Sequence, residues 1–102
     1  MSNYPMLAAE FPDYDLATLP EIPADWEESS WHNDACPSFM ARGDLLHIFV
    51  DYADPEFSEF PERAFRFGVY HIDSNADRHE LLETNDWPAV VALVETWQPE
   101  AA

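Results

Sequence analysis

The strongest alternation of apolar and polar positions runs through Leu45–Tyr52 (LLHIFVDY). Leu46, Ile48, Val50 and Tyr52 fall on one side, and Leu45, His47, Phe49 and Asp51 on the other. A period of two, carried by β-branched and aromatic residues, is the signature of a strand. Ala64–Ile72 repeats the pattern, with Phe65, Phe67 and Val69 expected inward and Arg66, Gly68 and Tyr70 outward. Ala35–Ala41 and Arg78–Glu83 complete the expected strands. Arg42-Gly43-Asp44 is expected to turn between the first two, with Gly43 able to take positive φ. The polar stretch Asp73–Asp77 (DSNAD) separates the last two, so that Arg78–Glu83 pairs back on its predecessor.

The period then changes. Trp87, Val90, Val91, Val94 and Trp97, with Leu93 alongside, recur at helical spacing. Asn85 is placed to cap this helix, Asp86 suits its positive end, and Pro88 falls in the first turn, where a missing N–H costs nothing. The helix is expected to end before Pro99. Upstream, residues 1–30 are broken by Pro5, Pro12, Pro20 and Pro23, which leaves room only for a short helix over Asn3–Glu10. Leu16, Leu19, Ile22 and Trp26 are expected to pin this segment to the core. Residues 53–62 (ADPEFSEFPE) read as a loop. The whole, 1–102, is one α+β domain: an antiparallel sheet of about four strands, a C-terminal helix packed on one face, and an irregular Pro-rich N-terminal segment. A single core of this length has a radius of gyration of about 13 Å.

Charge changes the picture. The chain of 102 residues carries 21 acids against four Arg, has no Lys, and bears a formal net charge of −17. Disordered acidic tails are poor in aromatics, whereas 15% of this chain is aromatic and 47% apolar, so a core is affordable. A small soluble domain is comfortable at a net charge of magnitude about 2–8. Each exposed like pair about 7 Å apart repels by about 0.6 kcal/mol in water, and many such pairs accumulate. Phosphates would be repelled, which disfavours nucleic acid as a direct partner and favours a basic protein. A halophilic origin would explain the acids, but halophilic chains usually reduce the large apolar residues retained here. No stretch approaches the ~18 apolar residues of a membrane span, and Met1–Glu10 lacks the basic and apolar regions of a signal peptide. One cysteine, Cys36, rules out an intramolecular disulfide and fits a reducing cytoplasm.

Two acid runs are the candidate partner-binding residues: Asp13, Asp15, Glu21, Asp25, Glu27 and Glu28, and Asp51, Asp54, Glu56, Glu59 and Glu62. On an extended chain, residues i and i+2 stand about 6.8 Å apart on one side, comparable to successive phosphates of a nucleic-acid strand. Carboxylates so spaced can accept bidentate hydrogen bonds from Arg, as phosphates do. Trp26, Trp31, Phe57 and Phe60 are the candidate exposed aromatics, able to anchor an interface that the acids steer. Arg42 and Arg66 are expected to hold intramolecular pairs.

Catalysis is weakly signalled. His32, Asp34 and Cys36 are metal-capable, but their spacing matches no zinc pattern. His71 and His79 flank a turn and are expected to come near each other. Cys36 with a histidine is a weak nucleophile signal, and with only Gly43 and Gly68 no phosphate-binding glycine motif exists. The expectation is a non-enzyme with no cofactor.

With Ser29–Phe39 (SSWHNDACPSF), the hydrophobic strand after it and Asp51–Pro55 (DYADP), the chain resembles small accessory-gene proteins of proteobacteria. In length, charge and α+β pattern it resembles the acidic, Lys-poor nucleic-acid mimics of phages and mobile elements, the anti-CRISPR proteins directed at Cascade complexes among them. The resemblance brings no motif that assigns site residues. It implies an inhibitor in the cytoplasm of a bacterial host that blocks DNA binding, with the large Cascade subunit that reads the protospacer-adjacent motif as target; self-repulsion favours a monomer over an oligomer, although an apolar sheet edge could still pair two copies. Such sites read DNA through Arg and Lys. The same charge also suits an immunity protein or antitoxin against a cationic nuclease, or a small non-catalytic acidic adaptor.

Overall fold

The computed structural model describes residues 4–31, 34, 36–58 and 62–98. Its centre is an antiparallel sheet of five strands in simple sequential order: β1 (Glu27–Glu28), β2 (Ser38–Ala41), β3 (Leu46–Val50), β4 (Phe67–Ile72) and β5 (Arg78–Thr84). A short helix, α1 (Pro5–Glu10), precedes the sheet and a longer one, α2 (Trp87–Thr96), follows it. Single 3₁₀ turns occupy Leu16–Thr18 and Pro55–Phe57. The α+β class holds. The strand missed in the sequence is β1, two glutamates that pair with Met40 and Phe39 and show no apolar pattern of their own.

The alternation in β3 sorts its residues as expected. Leu46, Ile48 and Val50 are fully buried on the helix side, with Phe39 and Ala41 of β2 and Phe67 and Val69 of β4. Helix α2 lies over β4 and β5 and inserts Val90 and Val94. Aromatics of the N-terminal segment contribute to the same core, Tyr4 edge-on to Phe39 and Trp26 edge-on to Trp87 at 5.6 Å. Leu7, Phe11 and Tyr14, not singled out in the sequence, are buried there with Ile22 and Trp26, whereas Leu16 is largely exposed. The radius of gyration is 13.4 Å.

Several boundaries moved, β3 shortening to Leu46–Val50 and β5 extending to Thr84, and the larger shifts have local reasons. Strand β2 starts after Pro37, which has no N–H to pair, although its carbonyl still accepts from Val50 N at 2.9 Å. Strand β4 starts at Phe67 rather than Ala64 because the side chain of Asn85 takes over the pairing of residues 64–66. It accepts from Arg66 N at 2.8 Å and donates to Ala64 O at 3.0 Å. Asn85 therefore does not cap α2. Asp86 stands at the cap position and makes no side-chain capping bond. The β2–β3 turn holds Arg42, Gly43 and Asp44 all at positive φ. Arg42 reaches from it to the carbonyls of Val94 (2.9 Å) and Glu95 (3.4 Å), placing a cation at the negative end of α2.

Candidate acidic interface

Arg66 decides where the first acid run meets the second. Its Nε donates to Asp51 O at 2.9 Å, and its Nη2 donates to Tyr14 Oη and Thr18 O, both at 2.9 Å. Tyr14 Oη in turn donates to Asp51 O at 3.2 Å. The end of β3 and the segment around residues 14–18 are thus clasped together through a buried tyrosine. Burial pushes the Tyr14 phenol up from its ordinary range, partly opposed by the Arg66 guanidinium. Tyr14 packs on Tyr52 at 5.1 Å, and Tyr52 packs on Phe11 at 6.5 Å and on Phe57 at 6.1 Å. Burial, followed by the charges of Asp13 and Asp51, raises the Tyr52 phenol as well.

The outcome is a shallow depression of about 190 Å³ lined by Asp13, Asp15, Asp54, Tyr52 and Phe57. Asp13 and Asp15 project outward on either side of buried Tyr14. Asp15 and Asp54 also cap the two 3₁₀ turns, accepting from Ala17 N and Glu56 N at 3.0 Å. Phe57 is 61% exposed and stands beside these carboxylates. Glu56 and Glu62 are exposed on the flanking loop, while Glu59 and Phe60 lie outside the described residues.

The remaining candidates have other places. Asp51 is corrected: it is only 8% exposed, and its carboxylate is committed to Arg63 Nη1 (3.3 Å), Ser58 Oγ (2.8 Å) and Tyr52 N (2.7 Å). It is an internal counter-ion and not a surface contact. Glu28 accepts from Met6 N at 3.3 Å and Leu7 N at 3.0 Å. It satisfies the open N–H groups at the start of α1, a task the sequence could not announce across 21 residues. Glu21 lines a separate depression with Trp87, Val91 and Glu95 of α2. Asp25 and Glu27 are exposed near the β1 edge. The first run therefore does not form one continuous surface.

Of the two roles expected of Trp26, the structure bears out the core one and overturns the exposed anchor, and Trp31 is exposed. Arg42 and Arg66 bind carbonyls and a phenol rather than carboxylates. Among the described residues the arginine–carboxylate pair is Arg63–Asp51, and Arg63 also donates to Tyr52 O. His71 and His79 do approach, with ring centroids 6.1 Å apart, but His79 pairs with Asp73 at 2.6 Å and His71 stacks on Trp97. His32 lies outside the described residues, and among those described no group of three metal-capable side chains gathers. Nor, among them, is any helix long and apolar enough to cross a membrane. No protein-family model, no curated protein and no solved structure matches the chain.

Proposed function

We propose that the protein is a nucleic-acid mimic that occupies a basic, DNA-reading groove of another protein, and that its target is the DNA-binding site of a Cascade-type effector complex. The observation that carries this reading is the meeting of Asp13, Asp15 and Asp54 around exposed Phe57 on a body of net charge −17. Carboxylates held on capped turns are pre-oriented, so less side-chain entropy is lost on meeting arginines. A solvent-exposed phenylalanine among them supplies apolar contact at the centre while the charges steer the encounter. The target class comes from the resemblance in length, charge and composition, and the acidic face is chemically suited to it because protospacer-adjacent motifs are read by Arg and Lys. The protein acts by occupancy, as a non-enzyme without a cofactor.

The test is binding to a purified Cascade complex, with target DNA as competitor, at low and moderate salt. The reading expects DNA to displace the protein and affinity to fall at least about tenfold between 50 and 300 mM salt, because exposed charges are screened. Phe57→Ala is expected to lower affinity about tenfold without changing thermal stability. Asp15→Asn and Asp54→Asn keep the turn caps, since Asn also caps, and isolate the loss of charge. Binding that DNA does not displace overturns mimicry. Absence of binding to Cascade, together with tight binding to a cationic nuclease, overturns this target in favour of an immunity protein.

A further inference from the structure

The four arginines are not used alike. Arg42, Arg63 and Arg66 donate to carbonyls, a phenol or the Asp51 carboxylate. The side chain of Arg78, at the start of edge strand β5, has no hydrogen bond and no carboxylate partner among the described residues, in a chain with 21 acids. Its guanidinium lies over the Phe49 ring, 5.7 Å from the centroid, and its charge reaches His47 and Tyr70. Such a group keeps its planar fork of N–H donors available.

Arg78 lines a cleft of about 560 Å³ on the sheet face opposite α2, within the ~300–1,000 Å³ range of small-molecule sites. Aromatic rings form part of its lining, beside Asp51, Arg63, Arg66 and Glu83. Phe49 and Tyr70 meet edge to face at 5.7 Å, and Phe65 is 46% exposed at the mouth. Gly68 keeps the space open. A Cβ there would stand 3.2 Å from Cε2 of Tyr70, so that ring would have to give way by a few tenths of an ångström. The Tyr70 hydroxyl has no hydrogen-bond partner among the described residues. Burial and the neighbouring Glu83 and Glu80 raise its pKa, so it remains a phenol and a donor at neutral pH.

The charges around the cleft set the ligand's charge. Arg63 is neutralised by Asp51, and Arg66 is held by the clasp around Tyr14. Glu83 lines the cleft, and its hydrogen bond with Glu80 raises its pKa above the ordinary value. One uncommitted guanidinium beside rim carboxyls matches a single negative charge and disfavours a phosphate dianion. At physiological ionic strength the screening length is about 8 Å, so acids elsewhere on the molecule are damped at this site.

We propose that this cleft is a binding site for a small planar aromatic carboxylate, its ring against Phe49, Tyr70 and Phe65 and its carboxylate on Arg78. Phe49, Phe65, Tyr70 and Arg78 are not residues of the depression around Phe57, although Asp51 and Arg66 stand between the two. The probe is 2-naphthoate, with 2-naphthamide and acetate as controls, titrated into the ¹⁵N-labelled full chain at neutral pH. Saturable shifts are expected at Phe49, Gly68, Tyr70 and the Arg78 side chain. The amide is expected to bind about tenfold more weakly, the loss of one charged hydrogen-bond pair, and acetate is expected not to saturate. Arg78→Gln should bring naphthoate down to the level of the amide and leave amide binding unchanged. Tyr70→Phe tests the second donor and should weaken naphthoate about threefold. Equal affinity for naphthoate and naphthamide, insensitivity to Arg78→Gln, shifts confined to other regions, or no saturation up to 10 mM would each overturn the proposal.

Discussion

Replacing His47 with Leu removes the most deeply buried histidine of the described residues and should change how stability depends on pH. His47 lies on β3, 5% exposed, stacked on Phe49 at 4.3 Å, and neither ring nitrogen has a hydrogen-bond partner among the described residues. Burial, followed by the charge of Arg78 and opposed by Asp34, holds its pKa down to about 4, against an ordinary 6.5. The unfolded chain therefore takes up the proton first as pH falls. The contribution of His47 to stability is complete above pH 6.5, shrinks as pH drops from 6.5 to 4, and is constant below that. At about 1.4 kcal/mol per pH unit, the protonation of His47 costs about 2–3 kcal/mol by pH 4.5. Protonation of the many carboxylates acts in the opposite sense by relieving self-repulsion, and the other histidines titrate in the same window. Both effects are shared by the two proteins and cancel in their difference. The assay is urea unfolding followed by tryptophan fluorescence at pH 7 and pH 4.5. The His47→Leu protein is expected to gain about 2–3 kcal/mol on wild type between the two pH values. A difference that changes by less than about 0.5 kcal/mol would refute the reasoning and imply that the ring is reached by water or a partner.

Three further substitutions separate structural from surface acids and test the moved start of β4. Asp51→Asn keeps an acceptor for Tyr52 N but deprives Arg63 of its charge partner, and should cost about 2–3 kcal/mol in urea unfolding. Asp13→Asn at the exposed rim should change stability by less than about 0.5 kcal/mol in the same assay. Asn85→Ala removes the two bonds that stand in for strand pairing at residues 64–66, and should cost about 1–2 kcal/mol. Hydrogen exchange at the Arg66 amide should quicken in that variant before exchange in β3 does.

The alternations in Leu45–Tyr52 and Ala64–Ile72, and the helical spacing from Trp87 to Trp97, carried the sheet and α2 because side-chain direction follows the backbone period within a few residues. Net charge and the surplus of acids over arginines were equally legible, since they need only counting. The use of each polar group was not. Asp51 and Asp54 look alike in the sequence, yet one is locked to Arg63 and Ser58 and the other caps an exposed turn. Glu28 serves a helix 21 residues away, and Arg66 clasps Tyr14 across 52 residues. The same holds for β1, whose two glutamates become a strand only because β2 offers them an edge. Local periodicity told which residues of β3 and α2 face the core, although Phe65, expected inward, is 46% exposed; only the tertiary structure decided which donors come within about 3 Å of which acceptors, and therefore which charges remain on the surface to meet a partner.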